Sequence, residues 1–210
     1  ENLDFYATIF GTTVKENYRL IEPIYRQIEP FQKRLAGKLS GGMKQKLALS
    51  CALIHKPDIL ILDEPTTGVD AVSRVEFWEM LSGLKKEGIT IIVSTPYMDE
   101  ALRCDRIALV QSGNILGIDT PSNIRKMYSK KLWAVKHPEK YKLLLTLRTV
   151  HIVISPEPFG EAVHVTLAEG ASPRELEAAL AEAGLMGAAV EEIIPGIEDV
   201  FLELMQRESR

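Results

Sequence analysis

Two adjacent acidic residues end a short apolar run near the middle of the first half of the chain. The segment Pro57–Pro65 reads PDILILDEP, so Asp63 and Glu64 directly follow consecutive aliphatic residues. In a parallel sheet such a strand would present both carboxylates at the carboxyl edge, where α/β folds bind ligands. One carboxylate there suits Mg²⁺, which prefers oxygen ligands, and the other can orient an attacking water or accept its proton. The alternative is a strand end with two solvated acids.

A glycine-rich helix start is the second candidate site. Leu39–Gln45 reads LSGGMKQ, and its two glycines, Gly41 and Gly42, would let the backbone come close to a ligand. The helix that follows offers unpaired N–H groups at its positive end, and Ser40 adds a hydroxyl. Together these groups suit a phosphate. The alternative is a capped helix that follows a glycine turn.

The elements around these residues alternate between strand and helix patterns. Unbroken apolar runs at Ile59–Leu62, Ile89–Val93 and Ile107–Val110 predict strands buried on both faces. Helical patterns lie between them at Ser73–Glu87 and Tyr97–Cys104. This order predicts a parallel α/β sheet with right-handed crossovers.

Helical patterns also precede this region. Residues 1–36 show helical spacing of apolar residues, and Pro23 and Pro30 are expected to interrupt or end the second helix. A further helix is predicted at Met43–His55. Asp99 and Glu100 are expected to lie on a solvated helix face.

A different order follows the turn residues and the one short helix expected at Asn114–Met127. The predicted succession is strand, helix, two strands, helix and strand, then a terminal helix. That succession is typical of a ferredoxin-like α+β unit. The predicted ranges are Leu132–Lys136, Glu139–Leu147, His151–Ile154, Ala162–Leu167, Pro173–Ala183 capped by Ser172, Ala189–Ile194 and Ile197–Arg207.

Composition narrows the possible functions. The chain has 210 residues, which suits one domain and a smaller second one, and 25 basic against 29 acidic residues argue against nucleic acid as a partner. Cys51 and Cys104 have no metal-ligand spacing and are expected to be reduced thiols. No apolar run approaches the ~20 residues of a transmembrane helix. Because the chain starts at Glu1 without an initiator methionine, we expect it to be cut from a longer protein.

The order and spacing of these segments resemble an ABC ATPase over residues 1–126. Leu39–Gln45 resembles the signature motif, with Met43 where glutamine is commonest, and Ile59–Glu64 resembles the Walker B strand with its catalytic glutamate. Thr67–Asp70 is similar to the D-loop, and Glu1–Gly11 to the stretch after the Q-loop. Two further segments resemble exporters of the ABC-2 type: the switch region Ser94–Ala101 and the C-terminal Ile197–Phe201.

The resemblance implies a fold and a domain arrangement. The fold class is α/β: a partial P-loop NTPase (ABC ATPase) domain with a helical subdomain, plus a small ferredoxin-like α+β domain. Residues 1–36 would be part of the helical subdomain, 37–126 the ATPase core without a Walker A motif, and 127–210 an accessory or regulatory domain.

The resemblance also implies roles for individual residues, with ATP and Mg²⁺ as cofactors. Asp63 would bind Mg²⁺ through water, and Glu64 would be catalytic. Asp70 would link two sites across a dimer interface. The signature residues would contact the γ-phosphate of ATP held by a partner domain: Ser40, Gly41 and Gly42.

Two departures from the family pattern bear on activity. The phosphate-loop pattern G-x-x-x-x-G-K-[ST] is absent, since Gly37 and Gly42 have the right separation but Met43-Lys44 follows. We therefore expect the chain alone to bind nucleotide weakly and to be inactive. Pro96 stands where the family has its switch histidine, which predicts a degenerate ATP site.

The implied function is the ATP-hydrolysing subunit of an ABC-2 type exporter. Its partners would be an integral membrane permease and a second ABC ATPase domain, whether identical, different or fused in tandem. It would lie peripherally on the cytoplasmic face of the cell membrane. Two alternatives stay open: an ABC ATPase without a pore, such as a ribosome-associated or translation factor, and a pure interaction module.

Overall fold

The chain folds into two compact units. A computed structural model describes residues 1–208, with the first unit spanning residues 1–103 and the second beginning at Cys104. The division into functional domains at residues 36/37 and 126/127 stays a prediction. Within the described residues, no helix is both long enough and apolar enough to cross a bilayer.

The first unit is mainly helical. Most of its α-helices begin and end close to the predicted positions, but the helix predicted at Tyr97–Cys104 covers only Met98–Ala101. Two 3₁₀ turns, Glu29–Phe31 and Ala36–Lys38, follow the second helix. Pro23 lies inside the last turn of the second helix, Val14–Tyr25, which ends two residues later. The helices are α1 (Asn2–Ile9), α2 (Val14–Tyr25), α3 (Gly41–Leu53), α4 (Ala71–Lys86) and α5 (Met98–Ala101).

Two parallel strands carry the acidic pair of the first unit. β1 (Ile59–Asp63) pairs with β2 (Thr90–Ser94) in register, with Asp63 opposite Ser94. The crossover between them is α4, as the sequence predicts. The prediction that both faces of these strands are buried is wrong: Leu60 is 4% exposed, but Ile61 is 73% exposed. Only one face is covered by the helices of this unit, so the side chains of β1 alternate between core and solvent.

The second unit begins with a hairpin that was not predicted from the sequence. β3 (Ile107–Gln111) pairs antiparallel with β4 (Asn114–Asp119), rather than joining the parallel strands as predicted. Ser112 and Gly113 form the connection, and both have positive φ, +49° and +82°. Positive φ at both central residues is the geometry of a type I′ turn, whose twist suits a two-residue hairpin. The short helix predicted after it is α6 (Pro121–Lys126).

A four-stranded antiparallel sheet completes the second unit. Its strand order, β6-β7-β5-β8, and its β-α-β-β-α-β succession are those of the predicted ferredoxin-like fold. Fully buried aliphatic side chains from the sheet and the two crossover helices form its core, among them Val163, Leu143 and Leu176. The elements are β5 (Leu132–Lys136), α7 (Lys140–Thr149), β6 (Val153–Phe159), β7 (Ala162–Leu167), α8 (Pro173–Glu182), β8 (Ala189–Ile193) and α9 (Ile197–Glu208).

The local sequence signal for helix capping at Ser172 agrees with the structure. Ser172 caps α8, and its side chain and that of Glu175 each accept a backbone N–H from the other residue. Cys51 is buried, and burial raises the pKa of its thiol to about 11. No disulfide is present in the part of the chain that is described, and the reduced state of Cys51 and Cys104 stays a prediction.

Candidate active site

The acidic pair lies on the surface at the carboxyl edge of β1 and β2. Asp63 and Glu64 are both exposed. The Ser94 hydroxyl donates a hydrogen bond to Asp63 Oδ1 and accepts one from the Glu64 backbone N–H at 3.0 Å. The Ser94 carbonyl also accepts from the Glu64 N–H at 3.1 Å. The last residue of β2 therefore fixes the orientation of the two acids that follow β1.

The backbone of Glu64 has an unusual conformation. Its φ is +41°, in the left-handed region, which costs a non-glycine residue about 1–2 kcal/mol. A turn compensates: the Thr67 N–H donates to the Glu64 carbonyl, and the Thr67 hydroxyl donates to Glu64 Oε2 at 3.1 Å. Such backbone strain often marks functional positions.

The glycine-rich helix start is accessible, as a phosphate site requires. Ser40 and Gly41 are exposed and Gly42 is half-buried. Ser40 caps α3, since its hydroxyl oxygen accepts the Met43 backbone N–H at 3.4 Å. A 13-residue helix thus presents its N-terminal end to solvent, with the partial positive charge of its remaining unpaired N–H groups.

The start of α3 contacts the loop that leads from Glu64 to α4. The Gln45 side chain donates a hydrogen bond to the Pro65 carbonyl. A Cβ on Gly42 would lie 2.9 Å from Ser73 Oγ, and a Cβ on Gly41 would lie 3.6 Å from the Gly68 carbonyl oxygen. The two candidate sites predicted from the sequence are therefore neighbours within one unit.

Asp70 caps helix α4. Its carboxylate accepts the Ser73 backbone N–H at 2.9 Å, and this hydrogen bond holds the pKa of the Asp70 carboxyl below its ordinary value. The carboxylate is exposed and ionised at neutral pH. The capping role accounts for an acid at this position without a ligand, and its predicted role across a dimer interface stays a prediction.

Pro96 lies at the surface, two residues after β2. The residues on either side of it are held together, since the Tyr97 N–H donates to the Thr95 hydroxyl at 3.1 Å. The proline itself provides no hydrogen-bond donor. In the first unit His55 stacks on Phe10, and the other three histidines belong to the second unit.

The prediction that Glu100 lies on a solvated helix face is wrong. The prediction of a solvated face holds for Asp99, which is exposed, but Glu100 is 1% exposed. Its carboxylate accepts hydrogen bonds from Thr66, Thr95 and Arg74. Helix α5 spans four residues, so no helical periodicity could have shown which side of it faces inward.

The side chains around Asp63, the candidate Mg²⁺ ligand, show what kind of metal site it could form. Among the described residues no three His, Cys, Asp or Glu side chains are grouped to hold a metal ion. Mg²⁺ at nucleotide sites commonly takes only one or two protein carboxylates and completes its octahedron with phosphate and water. The single exposed carboxylate of Asp63 fits that kind of site.

The architecture of the first unit defines the class of protein. Two parallel strands joined by a helical crossover, acids at the carboxyl edge and a glycine-rich helix start are features of the P-loop NTPase class. The family model described as ABC transporter matches residues 13–67. A solved structure of the ATP-binding subunit of an ABC transporter superposes with a TM-score of 0.53 and 28% identity, covering 60% of this chain and 54% of that one.

Curated relatives extend the match along the chain. The probable multidrug ABC transporter ATP-binding protein YbhF of Escherichia coli (strain K12) is 35% identical over 98% of this chain and 36% of its own length. The Nod factor export ATP-binding protein I of Rhizobium sp. (strain N33) is 33% identical over 99% of this chain and 67% of its own length. The chain belongs to the ABC transporter ATP-binding protein family. It spans little more than a third of the length of the E. coli relative.

Proposed function

We propose that this chain is part of the ATP-hydrolysing subunit of a membrane exporter of the ABC-2 type. The observation that carries the proposal is the exposed pair Asp63 and Glu64, held by Ser94 at the carboxyl edge of two parallel strands. The names of the relatives, a multidrug transporter protein and a Nod factor export protein, support the exporter assignment.

Glu64 acts on the attacking water in this proposal. Its carboxylate accepts a proton as the water oxygen bonds to the γ-phosphorus, while the bond to the β–γ bridging oxygen breaks and releases ADP and phosphate. The Thr67 hydroxyl, bonded to Glu64 Oε2, holds the carboxylate in place and leaves Oε1 for the water. A general base of this kind contributes about 10²–10⁴-fold to the rate.

The other site residues bind and align. Asp63 would hold Mg²⁺ through water, and the ion would supply positive charge to offset that of the phosphates. Ser40, Gly41 and Gly42 contact the γ-phosphate of ATP that a second ABC ATPase domain holds. Asp70, at the end of the loop that follows Glu64, links the two ATP sites of the dimer across that interface.

The remaining assignments follow from the same proposal. An integral membrane permease is the second partner, and the subunit works at the cytoplasmic face of the membrane. Residues 1–36 contact the permease, residues 37–126 form the ATPase core, and residues 127–210 form an accessory domain. Exposed apolar side chains on α1, including Phe5 and Ile9, support a contact at the first of these segments.

Two features lower the activity that we propose for this chain. Its sequence has no phosphate-loop pattern, so the chain alone binds nucleotide weakly and does not hydrolyse it. Pro96 cannot donate a hydrogen bond to the γ-phosphate or to the water. The ATP site that Glu64 serves is therefore slow or degenerate, while Ser40–Gly42 still complete the site of the partner domain.

The experiment that tests the proposal compares two isosteric substitutions in the full-length protein that contains this chain. Glu64→Gln removes the proton acceptor, and we expect steady-state ATP hydrolysis to fall by about 10²-fold or more. Glu87→Gln, at the opposite end of α4 from Asp70, is the matched control and should hydrolyse at the wild-type rate. Equal rates for the two variants would remove Glu64 from its proposed role.

Degeneracy of the site is tested at position 96. Pro96→His restores a side-chain donor, and we expect turnover of the full-length protein to rise by about 10²–10³-fold, the usual worth of one such donor. Pro96→Ala is the control, since it removes the proline ring without adding a donor. Unchanged turnover in Pro96→His, or an equal rise in Pro96→Ala, contradicts the proposed degeneracy.

A further inference from the structure

The carboxylate of Glu100 is a buried hub of hydrogen bonds in the first unit. Its Oε2 accepts the Thr95 hydroxyl at 2.6 Å and the Thr66 hydroxyl at 3.0 Å, and its Oε1 accepts Arg74 Nε at 3.0 Å. The side chain is 1% exposed. We refer to Thr66, Arg74, Thr95 and Glu100 as the Glu100 cluster.

Each donor of the Glu100 cluster belongs to a different segment of the candidate active site. Thr66 lies two residues after Glu64, and Thr95 directly precedes Pro96. Arg74 lies in the first turn of α4, where its backbone N–H bonds to the Asp70 carbonyl at 3.0 Å. One carboxylate therefore connects the loop after β1, the start of α4 and the segment after β2.

The connection to the Pro96 segment has two points of attachment. Thr95 donates to Glu100 and at the same time accepts the Tyr97 N–H at 3.1 Å. The Arg74 guanidinium also lies over the Tyr97 ring, 4.0 Å from its centroid. A guanidinium above an aromatic ring is an attractive arrangement. The residues before and after Pro96 are both held by the cluster.

The electrostatics of the cluster depend on the charge of Glu100. Burial alone would raise the pKa of its carboxyl, but hydrogen bonds from neighbouring side chains, those of Thr95 and Thr66 foremost, outweigh burial and hold the pKa below its ordinary value. The carboxylate is ionised at neutral pH and opposite in charge to Arg74. A buried charge that loses its partner is strongly unfavourable, so the two groups hold each other in place.

A purely structural role would be filled equally well by apolar side chains. Well-packed hydrophobic residues commonly replace buried ion pairs without loss of stability. Here the partners are hydroxyl and guanidinium groups from two loops and the first turn of α4, and directional bonds fix the relative positions of such segments better than packing does. Geometry of that kind matters for catalysis, since displacement of a reacting group by about 1 Å can cost about 10²-fold in rate.

We propose that Glu100 is a positioning residue for ATP hydrolysis, which fixes the segments of Glu64, Asp70 and Pro96 relative to one another. The proposal rests on the function proposed above for Glu64. Glu100 itself acts only through Thr66, Arg74 and Thr95 and touches no reacting atom.

The test uses two matched substitutions in the full-length protein. Glu100→Gln keeps the shape of the side chain and removes its charge, whereas Asp99→Asn removes an exposed charge that pairs with the same Arg74 at 3.3 Å. We expect Glu100→Gln to lower kcat for ATP by about 10–10²-fold with KM for ATP changed less than about twofold, as for an interaction made only in the transition state. Asp99→Asn should behave as wild type.

A second readout does not depend on turnover. Hydrogen exchange of the Thr67, Val69 and Tyr97 amides reports on the loops that the cluster holds, because these amides bond within those loops. We expect exchange to be faster by about tenfold in Glu100→Gln and unchanged in Asp99→Asn. Amides of the core strand β7 in the second unit serve as the internal reference.

The outcomes separate the two proposals. If the wild-type protein hydrolyses ATP and this activity is lost in Glu64→Gln but kept in Glu100→Gln, only the proposed role of Glu100 is overturned. Hydrolysis that is unaffected by Glu64→Gln overturns the proposed function. Unchanged hydrogen exchange in Glu100→Gln would show in addition that the loops do not need the Glu100 contacts.

Should Glu100→Gln fail to fold, Thr66→Val removes one hydrogen-bond donor to Glu100 without leaving an unpaired charge. This variant should lower kcat several-fold, and wild-type kcat would count against the proposal.

Discussion

The glycine at position 42 has two physical reasons to be there. The sequence pattern suggests one of them, the approach of a phosphate to the backbone. The structure adds that a Cβ at this position would lie 2.9 Å from Ser73 Oγ, closer than Cβ atoms come to other atoms in proteins, and 3.1 Å from Ser73 Cβ, a tight contact. Side-chain volume at Gly42 would push directly on the first turn of α4, next to Asp70.

Gly42→Ala is therefore expected to destabilise the first unit. Overpacking of this kind typically costs about 1–3 kcal/mol, which lowers the midpoint of thermal unfolding of the full-length protein by several degrees. Gly37→Ala is the matched control, since no heavy atom lies within 4 Å of its added methyl. Equal unfolding midpoints for the two variants would show that Ser73 yields without cost.

Glu100 should also make the stability of the protein depend on pH. Its pKa is lowered in the folded protein, so its ionised form contributes stability that is fully present above the unfolded value of 4.5. That contribution is lost as the pH falls through the lower folded pKa. We expect the stability difference between wild type and Glu100→Gln to be largest near neutral pH and to shrink below about pH 4.5. A difference that is constant from pH 7 to pH 3 would contradict this, with urea unfolding as the measurement.

At the scale of elements, strands were predicted well where both their pattern and their ends were clear. β5 and β7 begin and end at the predicted residues, because short runs dominated by apolar residues lie between recognisable turn residues. β4 was missed because its sequence, NILGID, contains a glycine and follows only two turn residues. The Ser112-Gly113 pair was the available signal, since such a pair between apolar runs is typical of a tight hairpin.

Substitutions at Ser112 and Gly113, the two turn residues, are expected to change the stability of the protein in opposite directions. Gly113→Ala places a side chain at φ +82° and should destabilise the second unit by about 1–2 kcal/mol. Ser112→Gly relieves a non-glycine residue at φ +49° and should be neutral or stabilising by up to about 1 kcal/mol. Thermal unfolding of both variants is the measurement, and destabilisation of equal size at both positions would contradict the type I′ assignment.

Site residues that depend on long-range contacts could not be predicted from the sequence. Asp63, Glu64 and Ser40 were found because each lies in a short, contiguous pattern. The Glu100 cluster joins residues that are 34 and 26 positions apart, and only the folded chain brings them together. The exposed face of β1 was likewise not predictable, because an apolar run shows which side chains favour burial and not which of them are covered.

At the scale of the whole molecule, the roles proposed for the two units rest on different observations. The first unit carries every site residue that we propose for ATP hydrolysis, and the second contains a ferredoxin-like fold whose proposed accessory role rests on topology. The E. coli and Rhizobium relatives match along almost the whole chain, so both units belong to the matched region.

Nucleotide retention by the full-length protein tests the central claim most directly. After incubation with ATP and Mg²⁺ and rapid removal of free nucleotide, the Glu64→Gln variant should retain unhydrolysed ATP, because its water is no longer activated. Adding Ser40→Arg should abolish retention, because a bulky side chain at the exposed start of α3 blocks the γ-phosphate contact with the partner domain. Retention of only ADP by Glu64→Gln, or equal ATP retention with and without Ser40→Arg, would contradict the account.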